Sequence, residues 1–124
     1  MNSLKIQDLN NELEKLEDIS DMIGVAVVNR NGILIASRLP RDIDDRKFCA
    51  MAATMFGAIE TAANTLDSSF VNNLTVEFND FQLIVMSVND QAILVSLIDL
   101  NTNLGLTLIE IEETIKNIKK LIKR

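Results

Sequence analysis

The stretch Phe48-Cys49-Ala50-Met51-Ala52-Ala53-Thr54-Met55-Phe56-Gly57-Ala58-Ile59 carries no charged residue, and only Thr54 and Gly57 interrupt its apolar side chains. It has no Pro and few β-branched residues, and it is rich in Ala and Met, so it reads as a helix. A helix that is apolar all round must be covered all round. One sheet covers only one side. In a chain of 124 residues the expected cover for the other side is a second copy of the same protein.

Advancing each residue by about 100° sorts the helix into two faces. Phe48, Met51, Ala52, Met55, Ile59, Ala62 and Leu66 fall together, with Phe56 and Ala63 at the margin, and this bulky stripe is expected to pack on a sheet. The opposite face carries Ala50, Ala53, Thr54, Gly57, Glu60, Thr61 and Asn64. Small residues there would let another backbone approach closely, with Gly57 at their centre. A mid-helix Gly is about 1 kcal/mol worse than Ala, which suggests a packing reason for it. An Ala-rich solvent face that merely favours helix formation is the plainer alternative.

Outward from this helix, apolar spacing sets the other elements. Ser3 can cap a first helix in which Ile6, Leu9, Leu13 and Leu16 recur at helical intervals. Residues 23–28 and 33–37 read as strands joined through Asn29-Arg30-Asn31-Gly32, a hairpin turn. Asp42 is the expected cap of the central helix, with Asp44 and Asp45 in its first turn and its end near Leu66, before Asp67-Ser68-Ser69. Residues 74–78, 81–88 and 91–98 then form a meander through Asn79-Asp80 and Asn89-Asp90. Leu74, Val76 and Phe78 alternate with polar residues, as near a sheet edge, whereas Ile93, Leu94, Val95 and Leu97 suit a central strand. Asn101, Thr102 or Asn103 caps a last helix with the seam Leu104, Leu108, Ile111, Ile115, Ile118 and Ile122. The order is α-β-β-α-β-β-β-α, an α+β chain read as one domain over residues 1–124.

Composition narrows the function classes. Hydrophobic content of 48% and charged content of 24% are those of a globular domain. No apolar run approaches a membrane span and no signal peptide is evident, so with a single Cys a reducing cytoplasm is expected. The sequon Asn73-Leu74-Thr75 then carries no meaning. A net charge of −6, five Phe and no Tyr or Trp argue against nucleic acid.

The chain has no His, which removes the commonest general base and metal ligand. Cys49 reads as a small core hydrophobe. An EF-hand loop opening at Asp42 would need Gly and Glu where Lys47 and Ala53 stand, so the Asp42, Asp44, Asp45 group is capping and dipole chemistry. The four glycines are too scattered for a phosphate loop. Acids precede bases along the last helix, with Glu112 and Lys116 an expected i,i+4 pair and Lys116, Lys119, Lys120, Lys123 and Arg124 at its end. No metal, cofactor or catalytic activity is expected.

This order, joined to Gly24-Val25-Ala26-Val27-Val28, Asn31-Gly32-Ile33-Leu34-Ile35-Ala36-Ser37-Arg38-Leu39-Pro40, Ala50-Met51-Ala52-Ala53 and Asn103-Leu104-Gly105-Leu106, resembles the roadblock/LC7 family. It is most similar to the stand-alone bacterial and archaeal members. The resemblance implies an α/β sandwich: a five-stranded antiparallel sheet with the central helix on one face and the terminal helices on the other. It also implies a homodimer joined by the central helices and by the third strands edge to edge. The interface would then hold Ala50, Ala53, Thr54, Gly57, Thr61 and Asn64 with Leu74, Thr75, Val76, Glu77 and Phe78. Family members bind and regulate Ras-like small GTPases or act as scaffold subunits of motor and signalling complexes. Candidate partner contacts are Arg38, Arg41 and Arg46, in or beside the loop before the central helix, and Glu60 on it. One of the arginines could serve as a finger toward a GTPase, although solvated loop charge is the simpler reading. A small-molecule sensor would need convergent polar groups in a pocket, and the core-facing residues are nearly all apolar.

Overall fold

The structure, a computed structural model, describes residues 3–67 and 70–122, so expectations on Ser68, Ser69, Lys123 and Arg124 lie outside the described residues, as do those on the side chains of Ser3 and Leu4. Its elements are α1 (Ser3–Ser20), β1 (Gly24–Asn29), β2 (Leu34–Arg38), α2 (Asp45–Ala63), β3 (Leu74–Glu77), β4 (Phe81–Ser87), β5 (Ala92–Asp99) and α3 (Leu104–Ile122). The strands form one five-stranded antiparallel sheet in the order β2-β1-β5-β4-β3. The near-continuous apolar run of β5 thus occupies the centre, and the half-wet β3 an edge.

Alternation on the central strands divides the core into two layers. Val25, Val27, Ile84, Met86, Leu94 and Ile98 meet Leu9, Leu13 and Leu16 of α1 and Ile111, Ile115 and Ile118 of α3. Ala26, Val28, Leu83, Val85, Ile93 and Val95 face α2. The terminal helices run antiparallel: Asn117 Nδ2 donates to Glu12 Oε1 at 3.1 Å, and Ser20 Oγ donates to Glu110 Oε2 at 3.0 Å. Lys116 pairs at 3.6 Å with Glu113 rather than Glu112, one residue nearer along the helix. On β5, Ser96 is wholly buried and its Oγ has no hydrogen-bond partner.

Turns and caps follow side-chain chemistry. Asn29 Oδ1 accepts from the Asn31 and Ile33 amides, and Gly32 takes φ +89°, a conformation that an L side chain rarely adopts. Asn89 Oδ1 accepts from the Gln91 and Ala92 amides and closes the β4–β5 turn. The cap of α2 is Asp44, not Asp42: its Oδ1 accepts from the Lys47 amide at 3.2 Å. Pro40 and the turn after it carry Asp42 one step too early to reach the first free amides. Asn103 caps α3 through the Leu106 amide at 3.1 Å. Along β2 the register shifts between Val27 and Val28, so Ile35 falls between ladder partners as a bulge.

Candidate interaction surface

Helix α2 meets the sheet through Cys49, Ala52, Ala53 and Phe56, all buried. Of the bulky stripe expected there, Ala52 and the marginal Phe56 are buried and Phe48 is partly buried, but Met51 is 56% exposed and Leu66 67%, and Met55 and Ile59 are also exposed. The helix is turned by roughly one residue step, about 100°, from the expected setting. Two causes are visible. Small side chains let the α2 backbone lie close to the sheet: a Cβ on Gly32 would come within 3.3 Å of Ala50 Cα. Phe56 fills the depth of this layer, with Phe48 partly buried against the same cluster.

The expected small face is consequently divided. Ala53 lies in the core and Ala50 is half-buried beside Gly32. Thr54 and Thr61 are exposed, and each hydroxyl donates to the carbonyl four residues earlier, at 2.9 and 3.0 Å. A Cβ on Gly57 would meet nothing within 4 Å, and Asn64 is exposed at the C-cap. On β3, Leu74 and Val76 turn half-buried toward the α2 layer, while Thr75 and Glu77 are exposed. Phe78, 41% exposed, stacks against Phe81 with ring centroids 4.9 Å apart.

What results is an apolar surface built from Met51, Met55, Ala58, Ile59, Ala62 and Leu66. It continues through a shallow groove that Ile59, Ala62 and Leu66 share with Phe70 and Val71, and so reaches the start of β3. Phe70 is 87% exposed. Contiguous exposed apolar area of this kind marks a contact surface.

Of the charged candidates, Arg38 faces α1, across the sheet from this surface, while Arg41, Arg46 and Glu60 lie beside or on α2. Arg38, on β2, donates from Nε to Glu17 Oε1 at 2.8 Å, and that bond raises its pKa. Arg41 and Arg46 are exposed before and in the first turn of α2. Glu60 is ion-paired to Arg30, a residue that sequence reading passed over as hairpin polarity. Arg30 also donates to Ser87 Oγ at 2.7 Å and to the Asn89 carbonyl at 3.0 Å, and its guanidinium lies 5.5 Å from the Phe56 ring centroid. It thereby ties the β1–β2 turn to α2 and to the β4–β5 turn. Its partners lie 30 to 59 residues away, so no local signal could have found them.

Cys49 is buried and its thiol pKa is pushed up to about 12, by desolvation first and then by the charge of Asp45. It is a protonated core side chain. Among the described residues no group of three or more His, Cys, Asp or Glu is placed to hold a metal ion. No described helix is long and apolar enough to cross a membrane.

Among the described residues, three helices and a meander-bearing five-stranded antiparallel sheet make an α+β sandwich. The chain belongs to the Roadblock/LC7 domain family, whose model matches residues 8–97. Two proteins of Methanocaldococcus jannaschii, MJ1340 and MJ0310, are each 33% identical to it over 110 residues, covering 89% of this chain and 93% of their own. Among solved structures, Myxococcus xanthus MglB superposes with a TM-score of 0.89 at 23% identity, covering 94% of this chain and 95% of MglB. The Roadblock/LC7 domain from Streptomyces avermitilis gives 0.84 at 15%, covering 91% and 96%. At these identities the structures support the fold alone.

Proposed function

We propose that this chain is a non-catalytic, cytoplasmic, homodimeric protein that binds and regulates a Ras-like small GTPase. The observation that carries the reading is the open apolar face of α2, running to the free edge of β3 in a member of this family. Two copies related by a two-fold axis would cover each other's stripes and pair their β3 edges. The interface would then take Met51, Met55, Ile59 and Leu66 together with the exposed Thr54, Thr61 and Asn64 of α2 and with β3, while Ala53 stays in the core. Arg41 and Arg46, exposed beside the N-terminus of α2, would lie on the rim of such a dimer, where a partner could reach them.

Affinity purification of the tagged chain from its native source tests the role. A stoichiometric small GTPase whose hydrolysis or exchange changes on adding the pure chain supports regulation. A large assembly without a GTPase supports the second reading, a scaffold subunit, and overturns the first.

A further inference from the structure

The turn between β1 and β2 holds the chain's single Asn-Gly pair, Asn31-Gly32. In such a pair a backbone amide nitrogen can attack the preceding side chain with little hindrance, because glycine puts no Cβ in its path. Gly32 N would attack Asn31 Cγ, its proton passing to water and ammonia leaving, which closes a five-membered succinimide. Water then opens the ring at either carbonyl and leaves aspartate or isoaspartate. Water is the only co-reactant, and Asn31 is exposed to it.

The closed turn opposes that attack. Gly32 N–H donates to the Asn29 carbonyl at 2.9 Å, so the attacking nitrogen is already engaged. That bond closes a four-residue turn, and among the described residues Asp21 is the only non-glycine with positive φ. The turn is therefore of type I, with ψ of Asn31 at about 0°. Ring closure needs the Asn31 Cα–C bond turned far from there, to bring the Gly32 nitrogen against Cγ. Asn29 holds the turn shut. Its Oδ1 accepts from the Asn31 and Ile33 amides at 2.9 and 3.0 Å, and its own amide donates to the Ile33 carbonyl at 2.9 Å. Attack thus awaits local opening.

We infer that Asn31 is a self-deamidation site gated by the Asn29 hydrogen bonds, and that its isoaspartate product loosens the seat of α2. Isoaspartate adds a methylene to the main chain at residue 31 and a carboxylate next to Arg30 in sequence. The two flanking residues are ones that fix α2. A Cβ on Gly32 would come within 3.3 Å of Ala50 Cα, and Arg30 pairs with Glu60 while donating to Ser87 Oγ and the Asn89 carbonyl. A lengthened turn cannot keep both sets of contacts. Loss of ammonia makes the change one-way, and it proceeds whatever α2 touches in the assembly.

The test incubates the full chain in neutral buffer, folded and in guanidinium, and maps aspartate and isoaspartate by peptide mass spectrometry. Unfolded, Asn31 should react faster than any other asparagine. Folded, it should react about tenfold or more slowly, because the turn must open first. Asn29→Ala removes two of the hydrogen bonds and should recover most of that loss, with circular dichroism as the check on folding. Asn29→Asp keeps an acceptor oxygen and should stay as slow as wild type. In the separated isoaspartate form, hydrogen exchange across residues 50–60 should be faster than in the fresh chain. Equal rates folded and unfolded, a faster asparagine elsewhere in denaturant, an Asn29→Asp rate matching the unfolded one, or unchanged exchange along α2 would each overturn the proposal.

Discussion

At the scale of single residues, burial decides chemistry. Cys49 has its pKa raised from an ordinary 9.0 to about 12 because the thiolate would have to sit in the core beside Asp45. The folded state therefore favours the protonated thiol. The sign follows: this contribution is complete below the unfolded pKa and is lost as pH rises between about 9 and about 12. In the native protein at neutral pH the thiol should resist a disulfide reagent, and in denaturant it should react at once. Rapid reaction without denaturant would contradict the buried assignment. Ser96 is the opposite case, a polar group whose hydroxyl gains nothing. Replacing it by Ala removes an unmet donor from the core, so Ser96→Ala should be neutral or stabilising by up to about 1 kcal/mol in urea unfolding. A clear loss would mean that the hydroxyl has a partner in solution.

At the scale of elements, sequence and structure agree where one face of an element is wet. Leu9, Leu13 and Leu16 of α1 and the α3 seam stand against charged neighbours, so their periodicity fixes which side turns inward. The same contrast puts β3 at an edge, and its absence puts β5 at the centre. On α2 the contrast is missing. Apolar residues occupy both the core side and the outer side, so spacing identifies the helix but not its rotation about its own axis. That rotation depends on how closely Ala52 and Ala53 let the backbone approach and on the pocket that Phe56 fills, which are facts about the partner surface. The interface assignment inherited the ambiguity. Gly57 provides a measure of it. Within one chain a Cβ there meets open space, so Gly57→Ala should stabilise the chain by about 1 kcal/mol, the helix-propensity gain, while its self-association reports whether a second copy approaches Gly57. Loss of self-association would restore Gly57 to the contact. Arg30 acts between elements, and Arg30→Ala should cost about 1–2 kcal/mol, since three hydrogen-bonding partners lose it in a site only partly screened by water. Glu60→Gln should cost less, because the bonds to Ser87 and Asn89 survive it.

At the scale of the whole molecule, the two faces of the sandwich are chemically unlike. One presents Met51, Met55 and Ile59, and the sole charge within residues 48–66 is Glu60, ion-paired to Arg30; the other carries the ion pairs Lys15–Glu12 and Lys116–Glu113 on α1 and α3. The first is the surface proposed for self-contact. Introducing a charge into that surface should separate the copies: Met55→Lys with Ile59→Lys is expected to sediment as a folded monomer where wild type sediments as a dimer. If the variant stays dimeric, the contact lies elsewhere.

The bulge at Ile35 has a consequence for how far such association can go. Any sheet extended through β3 of two copies would end on β2 at both sides. There the ladder is out of step, so an incoming strand would find its hydrogen-bonding groups misaligned after a residue or two. Growth by strand addition would therefore stop at the pair, which makes the assembly finite and guards the chain against fibre formation.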